Sequence, residues 1–260
     1  MSALKGMFSF FTMIHLDIEQ KDMDDMNRKF YLAPLVGAFY GIIAAVLMYS
    51  LTYYISPFIA AVFTLFVIQG INRFLHIDGT IDVGDGLTVA GRREDHLRAL
   101  KDTRIGAGGM ATALFVVLLT VALMSSIPWT MIILLPFMVE VLAKNSMVSA
   151  AAFGRPGDGM AGDSVRYTKG TALILAFMIS AILISAVIFA SYMTGWSFGD
   201  ETYLPVYIVI TMAASVLTGA LMSRIAYRNF GMTNGDVLGA TNEISRCVTL
   251  MIMIILIAVI

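Results

Sequence analysis

Residues 31–55, YLAPLVGAFYGIIAAVLMYSLTYYI, contain no charged side chain. A helix needs about 20 mostly apolar residues to cross a bilayer, so this stretch is long enough to do so. Six further segments are long and predominantly apolar: 57–74, 105–127, 129–149, 171–194, 203–223 and 244–260. The sequence therefore predicts an all-α, polytopic integral membrane bundle of about seven transmembrane helices, organised as a single membrane-embedded domain over residues 1–260.

Composition supports a membrane protein and excludes other classes. The chain is 58% hydrophobic and 13% charged, whereas soluble domains have about 45–50% apolar and about 25% charged residues. Its net charge of -1 argues against a nucleic-acid-binding protein. The one cysteine, Cys247, cannot form an intrachain disulfide. We therefore expect the lipid bilayer, and no nucleic acid, as a partner.

The basic residues indicate an orientation. With seven spans, all 17 lysines and arginines map to the N-terminal segment and to alternate connections, on one side of the membrane. Positively charged connections stay in the cytoplasm. We therefore predict a multi-pass protein of the cell (plasma or inner) membrane. Its N-terminus and active-site loops would face the cytoplasm, with residues 1–30 at the interface.

An acidic motif, HIDGTIDVGDGL, occupies residues 76–87. Asp78, Asp82 and Asp85 are spaced i, i+4, i+7, which places them on one face of a helix. The glycines between them favour a loosened helix that a ligand could approach. A solvated acidic turn is the alternative, but clustered carboxylates at a membrane interface favour a bound hard cation. We predict Mg²⁺, held by these carboxylates and by substrate phosphates.

A second motif, EDHLRALKDTRIGAGGM, follows at residues 94–110. Lys101 and Arg104 are candidates for binding phosphate beside the start of the next span. The alternative is a solvated helix in which Glu94, Arg98 and Asp102 form ion pairs at a spacing of four.

Two more Gly/Asp-containing segments lie on the same predicted side, at residues 144–162 and 231–246. As loops, they would complete the walls of a polyphosphate site with Arg and Lys between them. Separately, Glu140 lies inside a predicted span, where an ionisable residue is costly, and Lys144 one turn away is its expected partner.

These motifs resemble the cobalamin synthase family, the adenosylcobinamide-GDP ribazoletransferases. The resemblance rests on residues 76–87 followed by KDTRIGAGGM at 101–110, on YLAPLVGAFYGIIAAVL at 31–47, and on GMTNGDVLGATNEIS at 231–245. It covers nearly the whole chain. Two positions depart from the family pattern, since FFTMIHL at 10–16 lacks a basic residue and Lys144 stands where an arginine is expected.

The resemblance implies the last assembly step of cobalamin biosynthesis. Such an enzyme joins adenosylcobinamide-GDP to α-ribazole, or to its 5′-phosphate, releases GMP and requires Mg²⁺. The implied catalytic residues are Asp82, Asp78, His76, Lys101 and Arg104, of which His76 or an aspartate would be the general base. The implied metal ligands are Asp78, Asp82 and Asp85. The candidate substrate contacts are Asp102, Lys144, Arg155 and Asp236.

Two other functions remain open at this point. Asp82, Asp85 and Gly86 match the D-x-x-D-G opening of the CDP-alcohol phosphotransferase signature, although its later aspartates are absent. A cation-coupled transporter could use the aspartates as an ion site, but the predicted outward connections are short. Assembly into a homo-oligomer is also compatible with the sequence.

Overall fold

The computed structural model describes residues 2–157, 159–199 and 201–259, and within these ranges the chain contains helices and no β-strand. The α-helices in chain order are α1 (Ser2–Phe11), α2 (Gln20–Arg28), α3 (Ala33–Tyr54), α4 (Pro57–Ile71), α5 (Leu75–Thr88), α6 (Arg93–Leu100), α7 (Ala107–Ser125), α8 (Leu134–Phe153), α9 (Gly159–Tyr167), α10 (Gly170–Met193), α11 (Leu204–Asn229) and α12 (Gly235–Val259). Short 3₁₀ helices cover Phe30–Leu32 and Trp129–Met131.

The long apolar helices confirm the prediction of a multi-pass membrane bundle. In the described part of the chain, six helices are long and apolar enough to cross a bilayer: α3, α7, α8, α10, α11 and α12. Helices α4 and α5 meet this criterion only as a pair, and they are bent by 92° at their junction. The bundle thus has six spans, or seven if the bent pair counts as one.

Two predicted boundaries are wrong. The span predicted over 57–74 breaks after Ile71, and the span predicted from 244 already begins at Gly235. The second error has a physical cause, because the polar side chains in the first turns of α12 are buried against other helices instead of lying in a loop. Asn242 and Glu243 are at most 1% exposed.

Helix α8 is the centre of the bundle. All its residues from Leu134 to Ala151 are buried, and it contacts α3, α10, α11 and α12. Its close contact with α3 depends on two glycines. A Cβ at Gly37 would lie 2.6 Å from the Glu140 carbonyl oxygen, and one at Gly41 would lie 2.7 Å from that of Phe137. The two glycines therefore act in helix packing, as small residues commonly do between membrane helices.

The bend between α4 and α5 determines where the acidic motif lies. Arg73 and Phe74 adopt positive φ angles of 57° and 59°, a conformation that non-glycine residues adopt only at a cost. The Arg73 guanidinium donates a 2.7 Å hydrogen bond to the Phe10 carbonyl oxygen of α1. This contact ties the N-terminal helix to the bend, after which α5 packs against α12 and α7.

The two ends of the bundle differ in composition. Helices α1, α2, α5, α6 and α9 carry charges of both signs at one end of the bundle. We call it the basic end because the connections 126–133 and 194–203, at the other end, contain no lysine or arginine. A separate aromatic cluster brings the Tyr49 ring within 5.2 Å of Trp129 and 5.8 Å of Trp196, measured between centroids. Tyrosine and tryptophan concentrate at membrane–water interfaces, so this cluster marks a membrane boundary.

Candidate active site

Helix α5 carries the acidic motif and remains helical in spite of its glycines. A Cβ at Gly79 would lie 2.7 Å from the Asp236 carbonyl oxygen of α12, and one at Gly84 would lie 2.7 Å from the Thr112 side chain of α7. The expectation of a loosened helix is wrong, because the missing side chains admit neighbouring helices. This packing brings the acidic face of α5 beside Asp236.

Asp78, Asp82 and Asp236 form a carboxylate cluster at the contact between α5 and α12. Asp78 is exposed, Asp82 is half-buried, and the charges of Asp78, Asp85 and Asp236 repel the Asp82 carboxylate. Within the described ranges, no basic side chain forms an ion pair with any member of the cluster. Like charges at a partly desolvated site are costly, so the arrangement favours a bound cation.

Asp85 has a different environment. Its two carboxylate oxygens accept 2.7 Å hydrogen bonds from the backbone N–H groups of Gly106 and Gly109, at the start of α7. A carboxylate is stabilised there by the free N–H groups and by the helix dipole. The structure thus gives Asp85 a capping role, and its role as a metal ligand stays a prediction.

The carboxylate cluster fits Mg²⁺ better than it fits a metal enclosed by protein alone. No three His, Cys, Asp or Glu side chains among the described residues converge into a complete metal cage. Mg²⁺ does not need one, since it commonly binds one or two carboxylates and takes its other oxygens from water and substrate phosphates. Asp78, Asp82 and Asp236 supply hard oxygen donors of that kind, although Asp236 also accepts a 2.6 Å hydrogen bond from Asn234.

The ion pairs around α6 differ from the predicted spacing-of-four pattern. Asp102 pairs with Arg104 at 2.9 Å, and Arg98 pairs with Asp95 at 3.8 Å. Hydrogen bonds from Arg104 lower the pKa of the Asp102 carboxyl below its ordinary value. Lys101 is exposed. Since Asp102 already neutralises Arg104, these residues form a weaker phosphate site than the sequence predicts.

Arg155 belongs to a cationic cluster that the sequence did not reveal. Its guanidinium lies 4.1 Å from the centroid of the Tyr227 ring, and the Arg93 guanidinium lies 5.5 Å from the same centroid. Within the described residues, neither arginine has an acidic partner. Arg93 and Tyr227 had no distinguishing sequence signal, because their contact depends on the approach of α6 to α11.

The segment that leads into Asp236 passes close to both arginines. The Thr233 N–H donates a 2.7 Å hydrogen bond to the Arg155 carbonyl oxygen, and a Cβ at Gly231 would lie 3.4 Å from the Arg93 side chain. Asp236 follows on the same segment. Asp158, in the Gly-Asp-Gly unit next to Arg155, lies outside the described residues.

Lys144, which the sequence placed near the end of a span and at the start of the segment 144–162, lies deep inside α8. It is 1% exposed and donates a 2.9 Å hydrogen bond to the Asn242 side chain. Its ammonium also lies 5.3 Å from the Phe11 ring and 5.4 Å from the Tyr40 ring. Lys144 therefore has no free face for a substrate, and its predicted role in binding stays a prediction.

The prediction that Lys144 pairs with Glu140 is also wrong. Glu140 accepts hydrogen bonds from Arg246 of α12 at 2.7 and 3.0 Å, and Arg246 also pairs with Glu243. With Lys144, these residues form a buried network of two cations and two carboxylates. Opposite charges in equal number make such burial tolerable.

His76 connects this network to the site. Its Nε2 lies 3.4 Å from the Lys144 ammonium, and its Nδ1 lies 3.3 Å from the Asn72 amide nitrogen and 3.8 Å from Glu243. Both ring nitrogens thus face protein partners. His76 is less suited to act as general base than Asp78, which is exposed.

A pocket adjoins the carboxylate cluster at the basic end. Asp78, Asp236 and His76 line it together with Phe10 and Phe11 of α1. The site therefore combines clustered carboxylates, two arginines and a mostly apolar recess.

Comparison with known proteins identifies the family of the chain. A family model described as cobalamin-5-phosphate synthase matches residues 3–254. The chain is similar to an adenosylcobinamide-GDP ribazoletransferase of Methanosarcina barkeri, with 32% identity over 98% of this chain and 92% of the relative. It is also similar to proteins of that name from Methanocella arvoryzae, at 31% identity over 97% of this chain and 95% of the relative, and Methanosarcina mazei, at 30% over 96% and 91%. No solved structure matches the chain.

Proposed function

The chain belongs to the cobalamin-5-phosphate synthase family, and we propose that it joins adenosylcobinamide-GDP to α-ribazole, or to its 5′-phosphate, with release of GMP. The reaction would depend on Mg²⁺ and take place at the basic end, facing the cytoplasm from the cell membrane. The observation that carries the proposal is the carboxylate cluster, which has no cationic partner among the described residues, together with Arg93 and Arg155, which have no acidic partner among them.

In the proposed reaction, the carboxylates bind the metal ion and the arginines bind phosphate. Asp82 and Asp236 would hold Mg²⁺, and the bound ion would neutralise charge on the diphosphate. Arg93 and Arg155 would bind phosphate oxygens, which guanidinium groups do in a planar, two-point geometry. Their stacking on Tyr227 orients both groups before the substrate arrives. Lys101 stays a candidate for long-range attraction of the anionic donor.

Asp78 is proposed as the general base. It lines the pocket and belongs to the carboxylate cluster, and none of its oxygens accepts a hydrogen bond from the described residues. A hydroxyl oxygen of α-ribazole would attack the phosphorus that bears the cobinamide ester, and its proton would pass to Asp78. The bond from that phosphorus to the bridging oxygen breaks, and GMP leaves with the electron pair.

The direct test uses purified protein in detergent with adenosylcobinamide-GDP, α-ribazole and Mg²⁺, and follows GMP and cobalamin by chromatography. We expect both products, and none when a chelator removes Mg²⁺. Release of CMP from a CDP-alcohol with adenosylcobinamide-GDP left intact would overturn the proposal in favour of a lipid phosphotransferase. Ion flux in proteoliposomes without GMP release would indicate a transporter.

The Asp82→Asn variant tests the carboxylate cluster. We expect turnover to fall at least roughly 100-fold, because even outer-shell partners of a metal are worth ~10–100-fold. Asp24→Asn is the matched control, since Asp24 is exposed on α2, away from the cluster. Near-normal turnover of Asp82→Asn at limiting Mg²⁺, with Asp24→Asn also normal, would contradict the metal-binding role.

A further inference from the structure

The pocket beside Asp78 is a recess between helices at the basic end. It contains about 580 Å³ of empty space, a figure that includes the open solvent at its mouth. Its walls come from α1, α2, α5, α8, α9 and α12. It is therefore built from every part of the basic end except α6.

The pocket has two chemically distinct parts. Its inner wall is apolar and largely aromatic, with Phe11 and Phe30 2–3% exposed and Met147 2% exposed. The Phe10 and Phe11 rings meet edge to face, with centroids 4.9 Å apart. Asp78 and Asp236 supply the carboxylates of the polar part. A matching ligand has a flat apolar ring at one end and hydroxyl groups at the other.

The donor substrate does not match this shape. A nucleoside diphosphate joined to a corrinoid is far larger than the pocket. A guanine ring is a poor match for the apolar inner wall, because its polar edge needs several hydrogen bonds. The Ser164 hydroxyl in the wall already donates a 2.7 Å hydrogen bond to Asn27.

The acceptor substrate, α-ribazole, matches both parts of the pocket. We propose that this pocket is the acceptor subsite and holds the dimethylbenzimidazole ring of α-ribazole against Phe10, Phe11 and Phe30. The ribose hydroxyls then lie at the carboxylate end, where Asp78 can receive a proton. This inference rests on the proposed function and adds the location of one substrate.

The aromatic wall of the subsite is connected to the bend between α4 and α5. Phe10 and Phe11 belong to α1, which is fixed to the α4–α5 bend by the hydrogen bond from Arg73 to the Phe10 carbonyl oxygen. The aromatic wall is thus attached to the residues that set the direction of α5 and of Asp78. This hydrogen bond therefore links the aromatic wall to the segment that leads into Asp78.

The test fills the pocket with a larger side chain. Ala161 of α9 lines the pocket, and Ala161→Phe would occupy the space of the ring. Ala213→Phe is the matched control, because Ala213 lies in an apolar outer groove between α10 and α11. Equilibrium dialysis with α-ribazole and no donor measures binding, and steady-state kinetics measures KM for each substrate. Phe10→Ala removes part of the aromatic wall and serves as a second variant.

The expected result is weaker α-ribazole binding by at least about tenfold in Ala161→Phe and Phe10→Ala, with binding unchanged in Ala213→Phe. KM for α-ribazole should rise while KM for adenosylcobinamide-GDP stays constant. If the variants remain active and change only the KM for adenosylcobinamide-GDP, the subsite is overturned and the proposed function stays intact. If wild type forms no GMP but binds α-ribazole in a pocket-dependent way, the subsite stands and the proposed function fails. Absence of α-ribazole binding to wild type overturns the subsite.

Discussion

Replacing Glu140 by glutamine should be among the most destabilising single substitutions in the bundle. Glu140 and Arg246 are joined by two hydrogen bonds of 2.7 and 3.0 Å, and their side chains are 3% and 1% exposed. Glutamine preserves the shape but removes the charge, so two cations then face only Glu243. This change leaves one excess positive charge inside the protein.

The expected loss of unfolding free energy is about 3 kcal/mol. Each hydrogen bond between charged groups contributes roughly 1.5–3 kcal/mol, and removing one partner of a buried ion pair typically costs about 3–5 kcal/mol. Denaturant titration in mixed micelles, followed by circular dichroism, measures the change. The control is Asp163→Asn, whose 3.0 Å pair with Arg166 is about half exposed and should contribute about 0–1 kcal/mol.

A double substitution distinguishes charge imbalance from lost packing. Glu140→Gln combined with Arg246→Gln removes one charge of each sign and leaves Lys144 to balance Glu243. The double variant should be more stable than the sum of the two single losses predicts. A loss below about 1 kcal/mol in Glu140→Gln, or strictly additive losses in the double variant, would refute this account of the network.

Three further predictions concern the basic end. Asp85→Ala should lower the unfolding free energy by about 1–3 kcal/mol, because the backbone N–H groups of Gly106 and Gly109 lose a charged acceptor; a loss confined to turnover would instead support a metal-binding role. Arg155→Lys should raise KM for adenosylcobinamide-GDP about tenfold, or about 1.4 kcal/mol, and an unchanged donor KM would exclude it from phosphate binding. Asp22 has a pKa lowered from 3.8, chiefly by the hydrogen bond from the Glu19 N–H. Its stabilising effect on α2 is therefore complete above pH 3.8 and is lost as the pH falls through the lowered pKa; hydrogen exchange of residues 2–28, corrected for intrinsic rates, should rise there and not at neutral pH.

The spans could be predicted because hydropathy over about 20 residues reports directly on transfer into lipid. Hydropathy placed the start of α12 too late in the sequence, and it gave no sign that Lys144 is buried. Hydropathy assigns polar residues to loops, whereas Asn242, Glu243 and Lys144 are buried because they satisfy one another across different helices. Such pairing depends on tertiary contacts between residues that are distant in sequence.

The candidate site was predicted in part. Helical spacing correctly placed Asp78 and Asp82 near each other, but it could not reveal that Asp85 caps α7 or that Gly79 admits Asp236. The Arg93–Tyr227–Arg155 contacts likewise join three separate segments. One motif and one resemblance directed attention to this region, while the contacts within it could be seen only in the fold.

The buried network also constrains how the chain can be assembled in a membrane. Helix α8 is the least hydrophobic of the six spans and carries Glu140 and Lys144. Arg246, which neutralises Glu140, lies 106 residues later in the sequence. During synthesis, α8 must therefore remain in the insertion machinery or in a water-accessible position until α12 emerges. Completion of the bundle would then depend on α12, so a chain released before residue 246 should be recognised by membrane proteases.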